Sequence, residues 1–374
     1  MSTDPILFFD LKTPAKRLRA DIERRLGAIL DHGQYIGGPE VGELEQKLAA
    51  FTGARHALAV ASGTDALVIA LMGEAIGPGD AVFLPAFTYN ATANAVLMTG
   101  ATPVFVDVDR QTCNIDPTLL EAAVERVVAE GRLKPRLVIA VDLYGLPADY
   151  AAIGPIARKH GMLVLSDAAQ ALGGGQGNKR IGALCEMTAT SFYPSKTLGA
   201  YGDGGAMFTD DDARLDRWAS IRWHGTDAAK KESIRVGLNG RLDSMQCAVV
   251  LAKMTIFEAE LEDRARHAAR YRARLGGKVA MQEGRSEDRH AFGLFTVMVD
   301  ERDRVMAALK EEGIPSAVYY AKSLHRHAAF AAYAPAEPLA NCDWLADHAL
   351  SLPFHPYLTD AQIDGVCDAL LRAL

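Results

Sequence analysis

Between residues 57 and 209, short apolar runs alternate with segments whose apolar residues recur at helical spacing. This alternation is typical of an α/β fold in which a mainly parallel sheet carries helices on both faces. Helices are expected to start near Ser62 and Asn90 and to cover Tyr150–His160. The runs predicted to be strands are Ala57–Ala61, Val82–Leu84, Pro103–Val106, Leu137–Val141, Met162–Leu165, Thr188–Phe192 and Ala206–Thr209.

Four chemically useful side chains come directly after predicted strands: Thr64, Tyr89, Asp167 and Lys196. Ligands of such sheets bind at the carboxyl ends of the strands, so we expect these side chains to face one site. Each also has a structural interpretation. Thr64 and Asp167 fit helix N-caps, and Lys196 fits a loop lysine that points to water. A segment rich in small residues surrounds Lys196, and such a setting favours an amine that loses its proton readily.

Pyridoxal 5'-phosphate (PLP) can use all four positions. Its phosphate suits the helix N-terminus at Gly63 and Thr64, and its ring suits an aromatic face such as Tyr89. The pyridine nitrogen needs a carboxylate, for which Asp167 is the candidate. The aldehyde needs a lysine for a Schiff base, for which Lys196 is the candidate. The combination favours a cofactor site over four unrelated structural roles.

Other functional classes lack support in the sequence. The net charge is −7 and no run of lysine and arginine occurs, so we expect no nucleic-acid partner. Dinucleotide-binding and P-loop motifs are missing from the sequence. No His-Glu-x-x-His motif occurs either, so no metal is expected. No apolar run approaches the ~18 residues of a membrane span. Five widely spaced cysteines without a Cys-x-x-Cys motif, and a Met1–Pro5 start without a signal-peptide pattern, indicate a cytoplasmic protein.

The C-terminal third has a different pattern. Residues 242–275 are predicted to be strongly helical and to form a long linking helix. A strand over 292–299, a helix over 302–312, a strand over 316–320 and a helix capped by Thr359 are predicted beyond it. We therefore expect a large domain over residues 1–240 and a smaller α+β domain, with its linking helix, over residues 241–374.

Taken together, the motifs resemble those of the DegT/DnrJ/EryC1/StrS sugar aminotransferases, which have the aspartate-aminotransferase fold (fold type I), a three-layer sandwich. The resemblance extends over nearly the whole chain. It rests on the segments Ala61–Leu67, Pro85–Tyr89, Asp167–Gln170, Ser191–Ala206, Asn239–Asp243 and Ser351–Leu358.

The resemblance implies a role for each matching residue. Lys196 would hold the cofactor and move protons, Asp167 would pair with the pyridine nitrogen, and Gln170 would approach the ring hydroxyl. Tyr89 would stack on the ring. Asn239 would bind the cofactor phosphate from the neighbouring subunit, which makes the active unit a homodimer. The other phosphate-binding residues would be Gly63, Thr64 and Ser191.

Within the family, the chain is most similar to enzymes that aminate C3 of UDP-2-acetamido-2-deoxy-3-oxo-glucuronate for bacterial surface polysaccharides such as O-antigen. The similarity lies in His32–Ile36, Phe192–Lys196 and Val236–Asn239. Arg241 is a candidate for an anionic part of the substrate, with a dimer-interface salt bridge as the alternative. The stretch Tyr320–His325 departs from the usual Tyr-Pro of this branch. Further candidates for substrate contact are Tyr320, Lys322 and His325.

The resemblance implies a transamination in two half-reactions, with glutamate as amino donor and a nucleotide-linked keto-sugar as acceptor, and hence ping-pong kinetics. A second hypothesis is a dTDP-3-oxo-6-deoxyhexose 3-aminotransferase, whose substrate has no sugar carboxylate. A third hypothesis, from another class, is a non-catalytic PLP-binding sensor. The retained Lys196, together with Asp167 and Gln170, argues against the sensor.

Overall fold

A computed structural model describes residues 5–374. Residues 1–4, which begin the stretch inspected for a signal peptide, lie outside the described residues. The helices are α1 (Lys12–Arg17), α2 (Arg19–His32), α3 (Pro39–Thr52), α4 (Gly63–Gly73), α5 (Asn90–Met98), α6 (Pro117–Glu130), α7 (Tyr150–Lys159), α8 (Asp212–Arg222), α9 (Ser244–Met254), α10 (Phe257–Leu275), α11 (Arg302–Glu311), α12 (Ala340–His348) and α13 (Asp360–Ala373).

The strands are β1 (His56–Val60), β2 (Asp80–Pro85), β3 (Thr102–Val106), β4 (Lys134–Val141), β5 (Leu163–Asp167), β6 (Gly175–Gln176), β7 (Lys179–Arg180), β8 (Met187–Ser191), β9 (Gly205–Thr209), β10 (Ala280–Met281), β11 (Asp288–Arg289), β12 (Phe295–Met298) and β13 (Ala349–Leu352). Short 3₁₀ turns cover Leu143–Gly145, Leu324–Arg326 and Ala328–Tyr333.

A seven-stranded sheet in the order β1-β9-β8-β5-β4-β2-β3 forms the centre of the molecule. Strands β8, β5, β4, β2 and β3 are parallel to one another, and β9 is antiparallel to both strands beside it, β1 and β8. The predicted mainly parallel sheet is therefore confirmed. In this register Asp167 lies beside Val141 on one side and Ala189 on the other, so its side chain is placed at the carboxyl edge.

Alternate residues of the central strands pack into cores on opposite faces of the sheet. In β2, Val82 and Leu84 belong to one core, whereas Ala81 and Phe83 belong to another. All six residues of β2 are buried. Burial on both faces explains why the strands are continuous apolar runs rather than alternating ones, and it gives the predicted three-layer sandwich.

The C-terminal residues build a second, smaller unit around the antiparallel sheet β10-β12-β13. Helices α10, α11 and α13 cover this sheet and share a separate apolar core with it. Helix α13 begins with a capping box, in which Thr359 Oγ1 accepts a hydrogen bond from Gln362 N at 3.2 Å. The predicted cap is confirmed, and the division of the chain at residue 240 stays a prediction.

Two predicted elements are wrong in detail. Residues 242–275 form two helices, α9 and α10, because the backbone tightens into i→i−3 bonds where α9 ends, from Thr255 N to Ala252 O at 3.2 Å and from Ile256 N to Lys253 O at 3.1 Å. Residues 316–320 do not form a strand. Ala317 makes a single bridge with Ser351, after which the chain turns and directs Tyr319 and Tyr320 into a cavity.

Within residues 5–374, no helix has both the length and the apolar character needed to cross a bilayer.

Candidate active site

A cavity of about 510 Å³ lies at the carboxyl edge of the central sheet, between this sheet and the loop that contains Tyr319 and Tyr320. The cavity brings together side chains that are far apart in the sequence. Of the predicted site residues, those that line it are Gly63, Thr64, Tyr89, Asp167, Gln170, Ser191, Lys196 and Tyr320. Asn239, Arg241, Lys322 and His325 do not line it.

One end of the cavity is formed by the N-terminus of helix α4. Ser62 is the N-cap, and its hydroxyl accepts a hydrogen bond from Asp65 N at 3.0 Å. Within the described part of the chain, the backbone N–H groups of Gly63 and Thr64 have no protein acceptor. A Cβ atom on Gly63 would lie 2.8 Å from the Ser191 Cβ, so only glycine allows this close approach. The free N–H groups, the helix dipole and the Ser191 hydroxyl form a binding site suited to a phosphate.

The floor of the cavity contains the Asp167 carboxylate, which is 6% exposed. Its Oδ2 accepts a hydrogen bond from Thr92 Oγ1 at 2.8 Å, and its Oδ1 accepts one from Ala169 N at 3.3 Å. Burial raises the pKa of Asp167, and the two hydrogen bonds and the nearby charge of Lys196 oppose that shift. A cationic group bound against Asp167 would therefore stabilise its ionised form.

Lys196 extends into the same cavity from a compact loop after β8. The loop is closed by hydrogen bonds from Lys196 N to Tyr193 O at 2.9 Å and from Ala200 N to Phe192 O at 2.7 Å. Among the described residues, the Lys196 ammonium has no carboxylate within 4.0 Å and no hydrogen-bond acceptor. Burial lowers the pKa of Lys196, and the charge of Asp167 only partly offsets this. The lowered pKa increases the fraction of neutral, nucleophilic amine.

A chain of hydrogen bonds orients the polar wall of the cavity. Tyr144 N donates to Gln170 Oε1 at 2.7 Å, and Gln170 Nε2 donates to the Tyr320 hydroxyl at 3.0 Å. The Gln170 amide is therefore held with its NH₂ group toward the cavity. Tyr320 also lies near Tyr89, with ring centroids 5.9 Å apart and planes inclined by 31°. The two rings border the space available to a planar ligand.

The remaining predicted residues lie outside the cavity of the single chain. The Arg241 guanidinium stacks 4.4 Å from the Trp223 ring and donates to Asn239 Oδ1, and Asn239 is exposed. Lys322 is exposed. His325 is directed at Asp343, with His325 Nε2 3.4 Å from the carboxylate, and burial lowers the pKa of its imidazole.

The residues of the site that were missed from the sequence include Thr92, Tyr319 and Phe9. Thr92 could have been predicted, because it lies three residues after Tyr89 at the start of a predicted helix. Residues at this spacing lie on the same face of a helix. Tyr319 was assigned to a strand that does not exist. Phe9 had no signal, because its position depends wholly on the tertiary packing of the N-terminal segment.

The donor set of the cavity fits PLP. Two free backbone N–H groups and a hydroxyl suit its phosphate, a buried carboxylate suits its protonated ring nitrogen, and an unpaired amine suits its aldehyde. The described residues that line the cavity include two carboxylates, Asp167 and Asp203, and neither histidine nor cysteine, so they do not form a common transition-metal site.

Comparison with known proteins agrees with this geometry. The sequence model of the DegT/DnrJ/EryC1/StrS aminotransferase family matches residues 16–371. The chain belongs to this family. It is 44% identical to UDP-2-acetamido-2-deoxy-3-oxo-D-glucuronate aminotransferase of Pseudomonas aeruginosa, over 98% of this chain and 99% of the relative. It is 38% identical to UDP-N-acetyl-3-dehydro-α-D-glucosamine 3-aminotransferase of Acidithiobacillus ferrooxidans, over 98% and 97% of the two chains.

A solved structure with the same fold contains a bound cofactor. The chain superposes on NtdA of Bacillus subtilis, which was crystallised with bound cofactor PMP, with a TM-score of 0.91 and 28% identity. The alignment covers 100% of this chain and 86% of the neighbour. The chain is therefore a PLP-dependent sugar aminotransferase with the α/β fold of its family, as predicted.

Proposed function

We propose that the chain transfers an amino group from glutamate to UDP-2-acetamido-2-deoxy-3-oxo-glucuronate, forming the 3-amino sugar for a bacterial surface polysaccharide such as O-antigen. The observation that carries the reaction is the cavity that holds Lys196, Asp167 and the free N-terminus of α4 together. The sugar is supported by the printed activities of the two relatives, both of which act on UDP-linked 3-oxo sugars.

In this proposal each residue of the chain has a defined task. When bound, PLP supplies an aldehyde that condenses with amines and a protonated ring that withdraws electrons. Gly63, Thr64 and Ser191 bind the phosphate. Asp167 holds a proton at the ring nitrogen.

The remaining cavity residues orient the ring and move protons. Tyr89 and Gln170 fix the plane of the ring. The Lys196 amine would form the covalent link at rest and would be released when the donor amine takes its place. The freed amine would then accept the proton from the α-carbon of the donor and return it to the cofactor carbon that had carried the link. The lowered pKa of Lys196 suits this task, because a neutral amine can accept the proton.

We also propose that the active unit is a cytoplasmic homodimer. Asn239 and Arg241 are partly or fully exposed on the surface and do not reach the cavity of their own chain. A second copy could bring them to its neighbour's cavity. Asn239 would then bind the cofactor phosphate, and Arg241 would contact the sugar carboxylate.

The residues of the 320–325 stretch have different prospects as substrate contacts. Tyr320 already lines the cavity. Lys322 and His325 would need to approach in the complex, and the pairing of His325 with Asp343 works against this. We therefore favour Tyr320 among the three residues proposed from the sequence.

The proposal is tested by offering the holoenzyme glutamate together with UDP-linked and dTDP-linked keto-sugars. We expect an amino sugar from UDP-2-acetamido-2-deoxy-3-oxo-glucuronate and a much slower reaction with the 6-deoxy sugars. A product formed only from a dTDP-3-oxo-6-deoxyhexose would reject the proposed substrate. A bound cofactor without turnover of any keto-sugar would favour the sensor hypothesis.

A further inference from the structure

One wall of the cavity comes from the N-terminal segment, residues 5–11, which precedes helix α1. Phe9 lines the cavity together with Tyr319 and Tyr320. No part of the cofactor accounts for Phe9, because the phosphate, ring nitrogen, ring face and aldehyde are already matched by residues at the carboxyl edge of the central sheet. The N-terminal segment and the Tyr319–Tyr320 loop lie outside that sheet and line the same cavity.

The segment is fastened on both sides of Phe9. Phe8 O accepts a hydrogen bond from Phe354 N at 3.2 Å, and the Phe8 ring stacks on Tyr319 with centroids 6.3 Å apart. On the other side, Asp10 Oδ1 accepts hydrogen bonds from Lys12 N and Thr13 N, both at 2.9 Å. A ring held by such fixed neighbours presents a stable surface to a ligand.

The two phenylalanines of the segment face different surroundings. Phe8 and Phe9 meet edge to face, with centroids 4.7 Å apart and planes at 83°. Both pack against the large core, but within the described residues only Phe9 of this pair lines the cavity. Phe8 therefore serves the packing of the segment, whereas the Phe9 ring is available to a bound molecule.

We propose that Phe9 is a specificity-determining residue for the keto-sugar half-reaction, in which its ring forms an apolar wall against the sugar nucleotide. The inference rests on the proposed keto-sugar substrate. A sugar nucleotide is far larger than the amino donor, so it needs a larger contact surface in the cavity. An aromatic ring supplies such surface at low entropic cost. Glutamate is small and doubly anionic, and the Phe9 ring offers it no polar partner.

Ping-pong kinetics separate the two substrates, because kcat/KM for each substrate reports its own half-reaction. For Phe9→Leu we expect kcat/KM for the keto-sugar to fall about five- to tenfold, because the loss of one aromatic contact typically weakens binding by a factor of this size. We expect kcat/KM for glutamate to stay within about twofold of wild type, since the ring makes no transition-state contact with the donor. Phe9→Tyr, which keeps the ring, should resemble wild type in both values.

Phe8→Leu is the matched control, because it changes the same residue type on the same segment at a position that does not itself line the cavity. We expect it to lower the melting temperature without a selective loss for the keto-sugar. Phe9→Met keeps most of the volume and replaces Phe9→Leu if the latter does not fold. The cofactor absorbance and melting temperature of each variant establish that it is folded and loaded.

Several results would overturn the inference: an equal loss in both half-reactions, no loss in either, or the same selective loss in Phe8→Leu. A wild-type enzyme that aminates no UDP- or dTDP-linked keto-sugar would overturn the proposed function, and this inference with it. A wild-type enzyme that aminates its sugar while Phe9→Leu shows no selective loss would overturn the inference alone.

Discussion

Thr92 Oγ1 donates a hydrogen bond of 2.8 Å to Asp167 Oδ2 at the buried floor of the cavity. The bond joins helix α5 to the end of strand β5, and it lowers the pKa of a carboxyl whose pKa burial raises. It therefore helps to keep Asp167 ionised, which is the form that can hold a proton on a ring nitrogen.

Replacing Thr92 by valine keeps the shape of the side chain and removes this donor. We expect kcat to fall about tenfold or more, because a hydrogen bond to a charged group contributes about 1.5–3 kcal/mol. The acidic limb of the pH–rate profile should move to higher pH, since the pKa of Asp167 rises. Thr88→Val is the control: Thr88 Oγ1 lies 3.3 Å from Thr92 Oγ1 and makes no bond to Asp167. An unshifted pH profile in Thr92→Val would contradict this role.

Gly63→Ala tests the proposed phosphate site. The added Cβ would lie 2.8 Å from the Ser191 Cβ, so the proposed phosphate site would have to widen. We expect the dissociation constant of PLP, measured by titrating the apoenzyme, to rise at least about tenfold, which corresponds to about 1.4 kcal/mol.

Gly42→Ala is the control, because Gly42 lies in helix α3 with open space around it. It should leave PLP affinity unchanged and raise the free energy of unfolding by about 0.5–1 kcal/mol. Equal PLP affinity in both variants would place the phosphate elsewhere.

The pH dependence of stability tests the raised pKa of Asp142, a buried residue. Burial raises the pKa of Asp142 to about 7, although its carboxylate accepts hydrogen bonds from Ser166 Oγ, Tyr150 Oη and Ala148 N. Between about pH 4 and pH 7 the folded protein therefore retains a proton that the unfolded chain releases. The contribution of this group to stability is present at low pH and is lost as the pH rises through 7.

Asp142→Asn cannot titrate, so the comparison isolates this group. We expect the stability advantage of the wild type over the variant to shrink as pH rises from 4.5 to 7.5, by at most about 1.4 kcal/mol per pH unit. Above pH 8 the difference should become constant. Urea unfolding of both proteins at equal cofactor concentration measures it. A difference that grows with pH would show that Asp142 is stabilised in its ionised form.

Much of the fold could be predicted because the central strands are buried on both faces. The apolar runs at Val82–Leu84 and Leu137–Val141 admit few alternatives to a covered parallel sheet. The helix cap at Thr359 could also be predicted from the sequence, since a capping box depends on residues three positions apart. Elements set by local sequence and by continuous burial were therefore accessible without a structure.

Other features depend on contacts between distant residues. Helix α9 ends where the backbone changes to i→i−3 bonds at Thr255 and Ile256, and periodicity alone does not reveal this change. Tyr320 was read as part of a strand, and its place in the cavity depends on a bond from Gln170. The raised pKa of Asp142 and the position of Phe9 likewise arise only when separate segments pack together.

The site itself was partly accessible. Asp167 and Lys196 could be grouped because parallel strands end at one edge of a sheet. Asn239 and Arg241 are placed outside the cavity of the single chain, so their proposed roles depend on a second copy that sequence patterns cannot position.

The central claim is that Lys196 binds the cofactor covalently and moves the proton. We expect PLP-loaded wild-type protein to absorb in the visible range and, after borohydride reduction and proteolysis, to carry the cofactor mass on the peptide that contains Lys196. Lys196→Ala should lose both signals and at least about a thousandfold in kcat, about 4 kcal/mol of barrier. A reduced cofactor found on another lysine, or a visible band unchanged in Lys196→Ala, would contradict the account.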